Sequence, residues 1–148
     1  MPGSGTIVIV GGGVVGSSIA YHLRRDGHAG RVVVVERDPT YVRASSFLAM
    51  GGIRQQFSSA VNIQLAQYST RFYAEFDSAL RVPAHVPHAN FRRRGYLFLV
   101  DDRTADRFAA RVERQRRLGA YVERLTLDQL RTLVPGVRLD DIRFGVFG

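Results

Sequence analysis

TIVIVGGGVVG, residues 6–16, reads as a strand, a tight glycine turn and the opening of a helix. Gly11, Gly13 and Gly16 carry the G-x-G-x-x-G spacing, and each glycine has its own task. The first lets the chain turn sharply off the strand. The second removes a side chain so that backbone N–H groups can approach a pyrophosphate. The third lets the helix lie close against the strand. Val14 and Val15 begin the helix, whose amino end presents unpaired N–H donors and a partial positive charge.

The flanks agree with this reading. Ile7–Val10 has the composition of a buried parallel strand, and Ile19, Ala20 and Leu23 give the helix an apolar face ahead of a stop at Gly27. Arg31–Val35, RVVVV, is a second buried strand that delivers Glu36 at its carboxyl end. A carboxylate there accepts ribose hydroxyls and repels a 2′-phosphate, which disfavours NADP, although Arg37 beside it leaves that cofactor open. The expectation is an α/β chain with a Rossmann-like βαβ unit that binds FAD or NAD(P).

Composition narrows the class. The 148 residues are 45% hydrophobic and 23% charged, the balance of a globular chain able to form one core. With no cysteine, disulfides, thiolate metal sites and cysteinyl cofactor links are excluded within this sequence. The net charge is +8, but every one of the 21 basic residues is arginine, and they are scattered apart from Arg92-Arg93-Arg94 and the run Arg111–Arg117. That pattern reflects coding bias and a solvated surface more than a nucleic-acid face, so no nucleic-acid partner is expected. The apolar start lacks a basic leader and is broken by three glycines, so neither a signal peptide nor a membrane span is expected, and the location is taken as cytoplasmic.

Beyond Glu36, Asp38-Pro39 turns the chain into Arg43–Phe57, RASSFLAMGGIRQQF, which has no clean period. Ser45, Ser46 and the pair Gly51, Gly52 suit a loop that passes along a pyrophosphate and reaches the far end of a long cofactor such as FAD; an ordinary surface connection is the alternative. Ser58–Leu80 reads as one long helix with a core-facing stripe of Val61, Leu65, Tyr68, Phe72, Phe76 and Leu80. The proline-broken run 82–90 marks a lobe boundary, and its His85 and His88 lack a third metal ligand nearby. A strand at 95–100, an arginine-laced helix at 101–118 stopped by Gly119, a strand at 122–125 and a helix opened by the capping box Thr126–Gln129 follow. Ile142–Phe147 begins another apolar segment; with only two parallel strands in the nucleotide sheet, the expectation is the amino-terminal piece of a longer enzyme.

Four segments, IVGGGVVGSSIAYHL, VVVVERD, ASSFLAMGGIRQQFSSAVNIQLA and RRGYLFLV, together resemble the FAD-dependent amine oxidoreductases of the D-amino-acid oxidase superfamily. That group includes sarcosine oxidases, dimethylglycine dehydrogenases, glycine oxidases and proteins with an FAD-dependent oxidoreductase domain. The resemblance implies residues 1–90 as the start of an FAD-binding domain and 91–148 as the start of an inserted α+β substrate domain. It implies pyrophosphate contacts from Gly11, Gly13, Val15 and Gly16, and adenosine contacts from Glu36 and Arg37. Ser45 and Ser46 would meet the pyrophosphate or ribityl chain, Gly51 and Gly52 would lie near the isoalloxazine, and Arg54 matches the arginine that clamps a substrate carboxylate. Where dimethylglycine-dehydrogenase-like members attach FAD through a histidine, this chain has Ala49, so the implied FAD is noncovalent. The implied reaction is oxidation of the C–N bond of a small amine or amino acid by hydride transfer to flavin. Substrate identity, electron acceptor and oligomeric state are not implied. A flavin-binding scaffold or assembly factor without turnover, and an NAD-dependent dehydrogenase, are the alternatives; the Ser-Ser and Gly-Gly loop argues against the second.

Overall fold

In the computed structural model, which describes residues 4–148, the strand β1 (Ile7–Val10), the helix α1 (Val14–Arg25) and the strand β2 (Val32–Val35) form the βαβ unit that the glycine motif predicts. The strands pair in parallel, Ile7 opposite Val32 through Val10 opposite Val35. Gly27, at φ +86°, ends α1, and the His28 N–H donates to the Leu23 carbonyl at 2.9 Å. The expectation of fully buried strands is corrected. Ile9 is buried, but Val8 is 58% and Val10 88% exposed, because alternate residues face opposite sides of a sheet and α1 covers only one.

The stretch after β2 also departs from expectation. Residues 43–57 are not irregular throughout: Ser45–Leu48 forms a helical turn, α2, in which the Phe47 and Leu48 N–H groups both donate to the Ala44 carbonyl. One turn is too short to leave a period in the sequence.

Residues up to Gly52 pack as one unit and Ile53–Gly148 as another, so the packing division lies ahead of the proline-broken run 82–90. The second unit is built on an antiparallel sheet in which β5 (Phe144–Phe147) lies between β3 (Leu97–Val100) and β4 (Glu123–Leu125). Phe144 and Val146 belong to a core with Ile63, Val100, Val112, Ala120 and Val122. On the other face, Phe147 joins Leu125, Leu130 and Leu139. The helix α5 (Ala105–Arg117) contributes Val112, with Phe108 and Leu118 packed beside it, and Gly119 at φ +76° stops it as expected. The helix α6 (Leu127–Leu133) opens on the predicted capping box, the Thr126 hydroxyl accepting from the Gln129 N–H and the Gln129 amide oxygen from the Thr126 N–H.

The long helix is corrected in two respects. It spans α3 (Ala60–Ala74) and, after an interruption at Glu75, α4 (Phe76–Ala79). Its buried residue is Ile63, whereas Val61, Leu65 and Tyr68 on the expected stripe are exposed. The packed face is chosen by Ile63 together with Gln67, whose amide donates to the Leu118 carbonyl at 2.9 Å, rather than by total apolarity. No helix among the described residues is long and apolar enough to cross a membrane.

Candidate functional site

The glycine corner of the first unit shows a separate constraint at each position. Gly11 has φ +100°, a conformation that L side chains rarely adopt, and its N–H donates to the Val35 carbonyl at 2.8 Å. A Cβ on Gly16 would overlap the Gly11 carbonyl oxygen and crowd Ile9, so the helix can approach the strand only with glycine there. A Cβ on Gly13 would meet nothing within 4 Å. The space over Gly13 is open. No side chain caps the amino end of α1, so the first-turn N–H groups, those of Val14, Val15 and Gly16 among them, carry no side-chain partner from Gly13.

Glu36 stands at the end of β2 with both carboxylate oxygens engaged by the backbone. Oε2 accepts from the Gly12 N–H at 2.6 Å and Oε1 from the Asp38 N–H at 2.8 Å. These bonds, Asp38 first and Gly12 next, hold its carboxyl below the ordinary carboxylate range. The charge is thus fixed beside the glycine turn.

Gly11, Gly13, Val15, Gly16, Glu36, Arg37, Ser45 and Ser46 come together around one open cavity of about 440 Å³. Gly51, at φ +71°, and Gly52 are exposed and do not line it. Of the further lining residues that sequence reasoning did not assign to the site, Tyr41 carries a polar tip turned toward the glycine corner. Tyr41 has φ 57°, and its hydroxyl lies 2.8 Å from the point a Gly12 Cβ would occupy. Nothing in the sequence signals a tyrosine in that conformation.

Arg54 belongs to the second unit. Its guanidinium carbon lies 5.0 Å from the ring centre of Phe57, 5.4 Å from that of Phe98 and 5.7 Å from that of Tyr96. Three aromatic rings thus lie within cation–π range of the guanidinium. Among the described residues no carboxylate pairs with it, and its buried Nε has no hydrogen-bond partner. It lines a cavity of about 170 Å³ with Gln56, Arg111 and Gln115. Gln115, buried on α5, donates to the Phe57 carbonyl at 2.8 Å, and Gln56 donates to the carbonyls of Tyr96 and Val146. The irregular segment that carries Arg54 is therefore pinned by buried side chains.

Among the described residues no group of three His, Asp or Glu side chains could hold a metal ion. His88 lies 3.8 Å from Asp77, and His85 pairs with Val82 through its backbone.

Residues 6–148 match the family described as FAD dependent oxidoreductase, DAO. The chain belongs to this family. It is 40% identical over 151 aligned residues to FAD-dependent oxidoreductase domain-containing protein 1 of Bos taurus, covering 99% of this chain and 31% of that protein. The Xenopus laevis protein of the same name is also 40% identical, with 99% and 30% covered. The chain thus spans under a third of the length of these relatives. Among solved structures, L-proline dehydrogenase from P. horikoshii superposes with a TM-score of 0.78 at 26% identity, over 100% of this chain and 37% of that one. Glycine oxidase from Bacillus cereus ATCC 14579 superposes with a TM-score of 0.65 at 21% identity, over 98% of this chain and 38% of that one, a likeness of fold. The cofactor of this family is FAD, and the α/β fold is that of its FAD-binding, Rossmann-like domain. The DAO-family cofactor fits the residues present: the open space at Gly13 and the uncapped amino end of α1 suit a pyrophosphate, and the anchored Glu36 suits an adenosine ribose.

Proposed function

We propose that the chain forms the adenosine-diphosphate cradle and the beginning of the substrate lobe of an oxidoreductase that oxidises the C–N bond of a small amine or amino acid. Residues 1–90 begin the FAD-binding domain, which also carries the substrate-binding Arg54, and 91–148 begin the substrate lobe. Gly11, Gly13, Val15 and Gly16 hold the pyrophosphate, Glu36 with Arg37 the adenosine, and Ser45 and Ser46 the next part of the cofactor. Gly51 and Gly52 serve the ring end. FAD would be held noncovalently and would supply the acceptor for a hydride, two electrons and one proton. Arg54 receives the substrate carboxylate bidentately and so fixes the amine-bearing carbon.

The observation that carries this reading is the Glu36 carboxylate clamped between the Gly12 and Asp38 N–H groups, beside a glycine with open space above it. The amino-acid part is supported by the proline dehydrogenase neighbour and by an Arg54 that lies among aromatic rings with no carboxylate partner among the described residues. The test uses a protein that carries this chain at the full length of its relatives. Anaerobic addition of glycine, sarcosine or L-proline should bleach its visible flavin band, and Arg54→Ala should raise KM for the carboxylate-bearing substrate by about tenfold or more with flavin content unchanged. A flavin band that no amine bleaches would support the non-catalytic scaffold instead. An unchanged KM would remove the carboxylate clamp.

A further inference from the structure

The turn between Glu36 and α2 is closed by its own hydrogen bonds, and these force one residue into an unusual shape. Asp38 Oδ1 accepts from the Thr40 N–H and hydroxyl, the Tyr41 N–H donates to the Asp38 carbonyl at 3.1 Å, and the Ala44 N–H donates to the Tyr41 carbonyl at 2.9 Å. Tyr41 is left at φ 57°, one of two non-glycine residues with positive φ among those described; the other, Asn90, is a residue type that tolerates it. A tyrosine does not choose this conformation for its own sake. Its consequence is to bring the phenol back across the turn. The hydroxyl reaches the face of Gly12, whose added Cβ would also lie 3.2 Å from the Glu36 Cβ. Tyr41 as a whole is 39% exposed and lines the cavity that Gly13, Glu36 and Ser45 share. No hydrogen bond from that hydroxyl to a described residue accompanies the approach.

We propose that Tyr41 is a cofactor-recognition residue, its phenol closing the adenosine end of the cradle and its hydroxyl pairing with the ribose or adjacent phosphate that Glu36 and the glycine corner receive. The proposal rests on the reading of that corner as an ADP cradle. A hydroxyl both donates and accepts, so it complements the acceptor-only Glu36 carboxylate at a ribose. Gly12 is then constrained twice, by the Glu36 side chain and by the phenol, which accounts for a fourth glycine that the G-x-G-x-x-G spacing leaves free.

Calorimetric titration of the 148-residue chain with ADP, together with thermal melts, tests this. Tyr41→Phe, which keeps the ring and the fold, should weaken ADP binding by about three- to tenfold, the loss of one hydrogen bond. Tyr41→Gly should weaken it further while holding or raising the melting temperature, because glycine adopts positive φ freely. Binding that is unchanged or tighter in both variants would overturn the role, the tighter result marking the phenol as an obstruction. If the wild-type chain itself fails to bind ADP, it is the cradle reading that falls.

Discussion

Gly13 and Gly16 stand three residues apart and make opposite demands. At Gly16 the demand is internal: any Cβ would overlap the Gly11 carbonyl, so Gly16→Ala must push α1 off β1 and should cost about 2–3 kcal/mol in urea denaturation. At Gly13 the chain itself makes no demand, and the proposed cradle places the demand in the ligand. A Cβ there meets nothing, so Gly13→Ala should change stability by less than about 1 kcal/mol yet weaken ADP binding by about tenfold or more. Equal stability losses in the two variants would mean that both glycines serve only the fold. The open space at Gly13 and the close approach at Gly16 were legible in the spacing, because each follows from where a βα turn must bend, open and pack. Glu36 was legible for the same reason, as the residue at the end of the second strand. Tyr41 was not: Asp38-Pro39 announces a turn, but not the positive φ that carries the phenol to Gly12.

Elements with a local cause were read more reliably than elements placed by tertiary packing. The α6 capping box needs only Thr126 and Gln129, and it forms. The face that α3 buries is decided by what lies against it: Gln67 reaches the end of α5 and Ile63 enters the core, leaving the more apolar stripe of Val61 and Leu65 outside. Hydrophobic periodicity could not distinguish the two. The same tertiary logic applies to the segment bearing Arg54, which has no regular structure and depends on α5. Gln115→Leu removes the donor to the Phe57 carbonyl and leaves that carbonyl unpaired. It should destabilise the chain by about 1–3 kcal/mol, measured by chemical denaturation. A neutral result would show that the Gln56 hydrogen bonds and the core contacts of Phe57 hold the segment without Gln115.

For the molecule as a whole, the α/β class and the FAD family followed from the order of segments, glycine corner, acidic strand end, Ser-Ser and Gly-Gly loop, then an apolar strand. Burial did not follow from that order. Val8, Val10, Val34 and Val35 are apolar strand residues that stay exposed, because burial is a property of what covers a face and not of the face itself. The two packing units carry separate chemistry in this account, ADP recognition in the first and Arg54 in the second. Hydrogen exchange of the 148-residue chain with and without saturating ADP tests the central claim most directly. The account predicts slowed exchange at amides of residues 11–16 and 36–46, with β3, β4 and β5 unchanged. Unaltered exchange across residues 11–46, or protection confined to the second unit, would contradict it.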